Sequence, residues 1–179
     1  MKKTLLAIAL GLSSNAVLAA DTGEILFAGS IKPGGTCPID LVIPGTGGVP
    51  IPRVEVGNFR ADNFPKTGTK STPIPFALRV TPGAGCTIGT DDGYLTFTAG
   101  WPTGTTRLYG LEPNGAEGIA LAILDRDLNN VEPGKESIPY PLDDTLPTDM
   151  KFYAQFESTS DTVMDGFANT RVEYLFVHK

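Results

Sequence analysis

Glycine and proline interrupt this sequence at short intervals, and the apolar segments between them are too short for ordinary helices. The chain has 21 glycines and 15 prolines among 179 residues. This frequency is typical of β proteins with many turns. No segment of about ten residues shows the 3.6-residue apolar period of a helix. The sequence therefore predicts an all-β fold built from short strands.

Alternation of apolar and polar residues locates the individual strands. We predict strands over residues 36–43, 54–57, 74–81, 94–98, 119–124, 138–142, 150–157 and 167–177. Residues 119–124 are almost entirely apolar, as in a strand buried on both faces. Residues 20–31 also alternate, with Gly23, Ile25, Phe27 and Gly29 on one face. Short strands of this number indicate an antiparallel sandwich of immunoglobulin-like type.

The N-terminus has the pattern of an export signal. Two lysines precede an apolar run over residues 5–12, and small residues follow at the expected cleavage site. We therefore expect residues 1–19 to be a signal peptide and the mature chain to begin at Ala20. The apolar run is too short to span a bilayer, so we expect a protein that is not membrane-spanning. The net charge of −6, with no cluster of lysine and arginine, argues against nucleic acid as a partner.

Cys37 and Cys86 are the two cysteines of the chain. In an exported protein such a pair most simply forms one disulfide, worth roughly 4 kcal/mol in the chain-entropy model. The alternative is a reactive thiol, but the nearest basic residue is Lys32, five residues from Cys37. The single histidine, His178, leaves little basis for histidine catalysis or a histidine-ligated metal. We expect no enzyme activity, no cofactor and no metal.

Other polar patterns have both a functional and a structural interpretation. Residues 125–136 partly match a calcium-binding loop, but Asn130 stands where that loop needs glycine, and the pattern also fits a hairpin turn. The aspartate pairs at 91–92 and 143–144 are adjacent in sequence, so in a strand their side chains would point to opposite faces. Trp101 is either an exposed sugar-binding aromatic or a packed anchor.

Several segments, taken together in their order, resemble the subunits of chaperone–usher fimbriae. They are Gly-x-Ile-x-Phe-x-Gly at 23–29, Thr-Cys at 36–37, Val-x-Val-Gly at 54–57, Pro-Phe-x-Leu at 75–78, Cys86, the apolar strand within 118–125, residues 151–156, and the C-terminal segment from Gly166. None is specific alone. The resemblance covers the whole predicted mature chain.

This resemblance implies an incomplete immunoglobulin-like sandwich that lacks its final strand. In such subunits the N-terminal strand of the next subunit fills a groove beside the last strand, which is a form of strand addition. The implied organisation is a donor-strand extension over 20–31 and a pilin domain over 32–179. Gly23, Ile25, Phe27 and Gly29 would then face the neighbour's groove. The alternation alone fits equally well a first strand in the chain's own sheet.

The resemblance also implies roles for the C-terminal residues. Gly166 lies thirteen residues before the last residue, as the family pattern requires, whereas the penultimate residue is His178 rather than an aromatic. Gly166, Val172, Tyr174 and Phe176 are implied to contact the donor strand and the assembly chaperone. Tyr174 or Phe176 would take the role of the missing aromatic.

The function implied is that of a structural subunit of a surface fimbria, which polymerises by donor-strand complementation and exchange and contributes to cell adhesion. Its expected partners are neighbouring pilus subunits, a periplasmic chaperone and an outer-membrane usher. We expect export through the periplasm to a fimbrium at the cell surface. The alternatives are a secreted single-domain module that binds a glycan or host protein, and a minor adaptor or terminator subunit of the pilus.

Overall fold

A computed structural model describes residues 37–83, 85–89 and 91–179. Its strands are β1 (Ile39–Val42), β2 (Ile74–Val80), β3 (Asp92–Ala99), β4 (Ile119–Leu124), β5 (Tyr140–Pro141), β6 (Thr148–Ser158) and β7 (Val172–His178). The one helical element in these ranges is a 3-10 turn, Ala61–Asn63. The prediction of an all-β fold is confirmed. The predicted signal peptide and the 20–31 segment lie outside the described residues.

The strands form two sheets whose order is that of an immunoglobulin-like sandwich. One sheet has the order β1-β2-β6-β4 and the other β5-β3-β7, and every pairing is antiparallel. In chain order, β1, β2, β4 and β6 correspond to strands A, B, D and E, and β3 and β7 to C and F. A complete domain has strand G beside F, and in the part of the chain that the structure describes no strand pairs with β7 on that side. The predicted sandwich without its final strand is confirmed.

Aromatic residues between the two sheets form the centre of the core. Phe152 of β6 is fully buried and stacks on Phe76, with ring centroids 5.8 Å apart. Its ring also meets Phe97 of β3 and Tyr140 of β5, each at 5.1 Å. Aromatic pairs of this kind contribute about 0.5–1.5 kcal/mol each beyond their buried area. β6 therefore links both sheets, and its inward positions are the alternating apolar residues seen in the sequence.

The predicted disulfide between Cys37 and Cys86 is present, with a Cα–Cα distance of 4.7 Å across 49 residues of chain. β1 and β2 are antiparallel and Ile39 is opposite Val80. This register places the residue before β1 close to the segment after β2. The bond therefore fixes β1 to the sheet at its outer edge.

Two strand predictions differ from the structure. Residues 54–57 form no strand. The ladder to β1 ends before them, with the bond from Ile51 N to Leu41 O (2.8 Å), and Pro52 just beyond it has no N–H to continue the ladder. β7 begins at Val172 rather than near residue 167. The residues before it bond instead to the segment 112–117, for example through Ala116 N to Phe167 O at 2.9 Å.

No helix in the described ranges is long and apolar enough to cross a membrane.

Candidate functional site

A cavity of about 1030 Å³ lies at the edge of the sandwich where the final strand is missing. Its floor is apolar and comes from the inner faces of both sheets. The floor residues are Phe76 and Leu78 of β2, Phe97 of β3, Ile119, Leu121 and Ile123 of β4, and Ala154 and Phe156 of β6. Apart from the half-buried Ile119, these side chains are buried. The cavity is therefore continuous with the hydrophobic core.

Two irregular segments form the walls of the cavity. One wall is the segment 52–61, which follows β1 and contributes Val54, Val56 and Phe59. The other is the segment 163–172, which leads into β7. Large apolar side chains remain exposed at the rim, and Phe167 is 82% exposed. An apolar cavity with an exposed apolar rim is a typical binding surface rather than an ordinary packing defect.

The backbone of β7 offers hydrogen bonds toward the cavity. Asp92 and Lys179 exchange both of their backbone N–H···O bonds, at 3.1 Å each. In an antiparallel ladder these doubly bonded pairs recur at every second residue, so Glu173, Leu175 and Val177 bond to β3. The N–H and C=O groups of the residues between them point to the other edge of β7. Those residues are Val172, Tyr174 and Phe176.

Val172, Tyr174 and Gly166, three of the residues predicted for the acceptor groove, line the cavity. Tyr174 is 41% exposed, and burial together with the Asp40 carboxylate raises its pKa. Gly166 allows a close approach of the two chain segments in the wall, because a Cβ at this position would lie 2.6 Å from the backbone nitrogen of Ala116.

Phe176 lies beyond the residues that line the cavity. Its ring packs inward near Gly93, where an added Cβ would come within 3.0 Å of it. His178 stacks on Phe176 with ring centroids 5.9 Å apart, and its Nδ1 lies 2.8 Å from Asp91 Oδ2. The penultimate residue thus extends the apolar face of β7 and is held by a polar contact. The predicted donor residues Gly23, Ile25, Phe27 and Gly29 lie outside the described residues.

Two aspartates of the other polar patterns, Asp125 and Asp143, close turns in the structure. The carboxylate of Asp125 accepts hydrogen bonds from the backbone N–H groups of Asp127 and Asn129, at 2.8 and 2.9 Å, which closes a turn. Asp143 caps a second turn in the same way. The carbonyl of Trp101 accepts a bond from Gly110 N at 3.2 Å. No group of metal-ligating side chains occurs within the described ranges.

Sequence reasoning missed one wall of the cavity. The alternation of Val54 and Val56 predicts a strand, but their side chains line the cavity from an irregular segment. Phe59 lies on the same wall and meets Phe64 and Phe156 in edge-to-face contacts at 5.9 and 6.2 Å. The alternation correctly predicts that the two valine side chains share one face that packs on the core. Nothing local in the sequence indicates that this face borders a cavity.

No protein-family model and no curated protein matches this chain. Solved structures of pilus proteins do share its fold. A type I fimbria protein of Burkholderia pseudomallei is 19% identical, with a TM-score of 0.58 over 80% of this chain and 99% of that chain. A chaperone–usher pilus structure concerned with rod uncoiling is 16% identical, with a TM-score of 0.60 over 89% of this chain and 96% of that one.

A third similar structure is the CupB6 tip adhesin of Pseudomonas aeruginosa, which is 17% identical with a TM-score of 0.58. The match covers 82% of this chain but 39% of the adhesin. At these identities the likeness shows the fold alone. The chain has the fold of chaperone–usher pilus subunits.

Proposed function

We propose that this chain is a structural subunit of a surface fimbria and that it polymerises by strand exchange. The observation that carries the proposal is the apolar cavity beside the unpaired edge of β7. A strand added there would complete the sandwich, because it would take the place of strand G beside F. The occupant we propose is the 20–31 segment of a second copy of the chain or of a related subunit.

The dimensions and chemistry of the two partners support this assignment. Gly23 to Gly29 is a seven-residue segment, and β7 also has seven residues, so each extends roughly 20 Å. Ile25 and Phe27 would place apolar side chains over an apolar floor. Burying each of them is worth roughly 1.5–3 kcal/mol. The free N–H and C=O groups of β7 would pair with the added backbone, so the exchange leaves few polar groups unsatisfied.

A subunit with an open apolar edge also needs protection from aggregation before it is assembled. An unpaired strand edge beside exposed apolar surface is prone to aggregation. We propose that a periplasmic chaperone covers the cavity until an outer-membrane usher brings the next subunit, and that the finished fibre lies at the cell surface and contributes to adhesion. The pilus proteins of the same fold support this role. Immunogold counts along purified fibres would assign the subunit to the shaft, an adaptor position or the terminus.

The test changes the face of the donor segment. Phe27→Asp would place an unpaired carboxylate in an apolar cavity, which is strongly unfavourable. We expect this variant to fold and to bind the chaperone but to produce no fibre ladder on an unboiled gel. Glu24→Ala, on the opposite face of the same segment, is the matched control and should assemble normally. Equal ladders from the two variants would show that this face does not enter a neighbour's cavity.

A further inference from the structure

An Asn-Gly dipeptide, Asn114-Gly115, lies in a turn of the segment 112–117, which bonds to one wall of the cavity. Asn114 follows Pro113 in this turn and has a backbone φ of 66°. Asparagine is one of the few residues with a side chain that adopts this left-handed conformation readily. The turn therefore favours asparagine or glycine at position 114. Asn114 is exposed, so its side-chain amide is accessible to water.

The fold also requires glycine at position 115. A Cβ there would lie 2.2 Å from the carbonyl oxygen of Phe167, which is closer than any side chain can approach. A Cβ on Gly166 would likewise lie 2.6 Å from the carbonyl carbon of Gly115. The backbones of the two segments thus pack directly on each other. This packing keeps a glycine immediately after the exposed asparagine.

The dipeptide has the groups needed for an intramolecular reaction. The backbone nitrogen of Gly115 can attack the side-chain amide carbon of Asn114, because glycine has no side chain to obstruct the approach. Among the described residues no backbone carbonyl accepts a hydrogen bond from the N–H of Gly115, so backbone pairing does not occupy the nucleophile. We propose that Asn114 is a site of spontaneous deamidation in the folded chain.

The reaction needs water as its single co-reactant. The new C–N bond closes a five-membered imide, and the bond from Cγ to Nδ2 of Asn114 breaks. The leaving group takes the proton of the Gly115 N–H and departs as ammonia. Water then opens the imide at one of its two carbonyls, which gives either aspartate or isoaspartate at position 114.

Isoaspartate would change the hydrogen bonds on both sides of the turn. Its backbone runs through the side chain, which adds one carbon atom to the chain within the turn. Before the turn, Glu112 N donates to Asn169 O at 2.8 Å, and after it, Ala116 N donates to Phe167 O at 2.9 Å. These two bonds fix the span of the turn, so a longer backbone breaks at least one of them. Aspartate keeps the backbone length and leaves both bonds in place.

Peptide mapping by mass spectrometry on the folded, full-length exported chain tests the reaction. The chain is incubated for days in mildly alkaline buffer, in which more of the attacking backbone nitrogen is deprotonated. We expect Asn114 to show the mass change of an amide converted to an acid, with isoaspartate among the products. Asn114→Gln should stay intact, because glutamine would have to close a larger ring. The internal controls, which should also stay intact, are the asparagines of the exported chain that do not precede glycine: Asn58, Asn63, Asn129, Asn130 and Asn169.

Hydrogen exchange over the segment 112–117 tests the structural consequence. The isoaspartate product, which anion exchange separates from unreacted chain, is compared with freshly prepared Asn114→Asp, which has the same charge and an unaltered backbone. Loss of one wall bond should make the N–H of Ala116 exchange about fivefold faster in the isoaspartate product. Asn114→Asp should exchange like the unmodified chain.

Neither measurement requires fibre assembly, so both outcomes are independent of the proposed polymerisation. The proposal is overturned if Asn114 stays intact in the folded chain while it reacts in the unfolded chain. It is also overturned if the control asparagines react as fast as Asn114. Exchange in the isoaspartate product that matches Asn114→Asp would refute the effect on the wall.

Discussion

A proline substitution at Tyr174 tests which edge of β7 bonds to the donor strand. The N–H of Tyr174 points away from β3, whereas the N–H of Leu175 lies on the edge bonded to β3 opposite Thr96. Proline has no N–H, and its ring would occupy the edge to which the donor strand is proposed to bond. Edge strands tolerate proline when the missing N–H faces outward. Tyr174→Pro should therefore leave the subunit folded and impair strand addition.

The expected weakening of strand addition by Tyr174→Pro follows from the loss of one hydrogen bond. Without the N–H of Tyr174, one carbonyl of the added strand would be buried unpaired, which costs about 1–3 kcal/mol. This corresponds to a weakening of strand addition by roughly 5-fold to 150-fold. Tyr174→Ala is the first control, because it removes the ring but keeps the N–H. Leu175→Pro is the second, because it should destabilise the subunit itself by breaking the ladder to β3.

Two measurements on the same cells distinguish these outcomes. The amount of disulfide-bonded subunit in the periplasm reports folding, and the length of the fibre ladder on an unboiled gel reports strand addition. We expect normal subunit and short ladders for Tyr174→Pro, longer ladders for Tyr174→Ala, and little subunit for Leu175→Pro. Ladders of the same length for Tyr174→Pro and Tyr174→Ala would refute the assignment of the free edge of β7 as the docking edge.

Three further predictions follow from contacts around the sandwich. Cys37→Ser should lower the free energy of unfolding by about 2–5 kcal/mol, measured by denaturant titration. Gly166→Ala should cost about 1–3 kcal/mol through its backbone clash and shorten the fibre ladder, whereas Gly104→Ala, which meets nothing within 4 Å, should change neither. Asp161 accepts bonds from the N–H and hydroxyl of Thr67, and these lower its pKa. Because the pKa is lower in the folded state, this contribution is present above about pH 4 and is lost as the pH falls further, so Asp161→Asn should flatten the acid dependence of unfolding.

The strands were predictable because their signal is local. Period-two alternation locates β2, β3 and β6, and the continuous apolar run locates β4. The start of β7 was not predictable, because residues 164–169 bond to the distant segment 112–117. Which strand ends the sandwich follows from sheet order, which a single sequence does not contain. The prediction that the final strand is missing rests on the resemblance to fimbrial subunits.

The burial of Glu157 is a second feature that the sequence could not predict. Glu157 is an outward position of β6, and alternation predicts a solvated carboxylate there. It is buried because Arg107 and Lys70, from segments 50 and 87 residues away in sequence, lie against it. Burial of this kind depends on tertiary contacts between loops and the sheet face. The burial of this carboxylate is therefore visible only in the structure.

β6 presents one face to the cavity and the other to the outer surface of the sheet, and the geometry of a strand determines how variants on the two faces should differ. Ala154 and Phe156 face the cavity, while Gln155 and Glu157 point to the outer face of the sheet. Successive side chains point to opposite faces, so neighbouring positions on one strand lie in different environments. A change at an inward position alters the floor on which the added strand rests and the core beneath it. A change at an outward position leaves the donor contacts in place, so single substitutions one residue apart should differ in their effect on assembly.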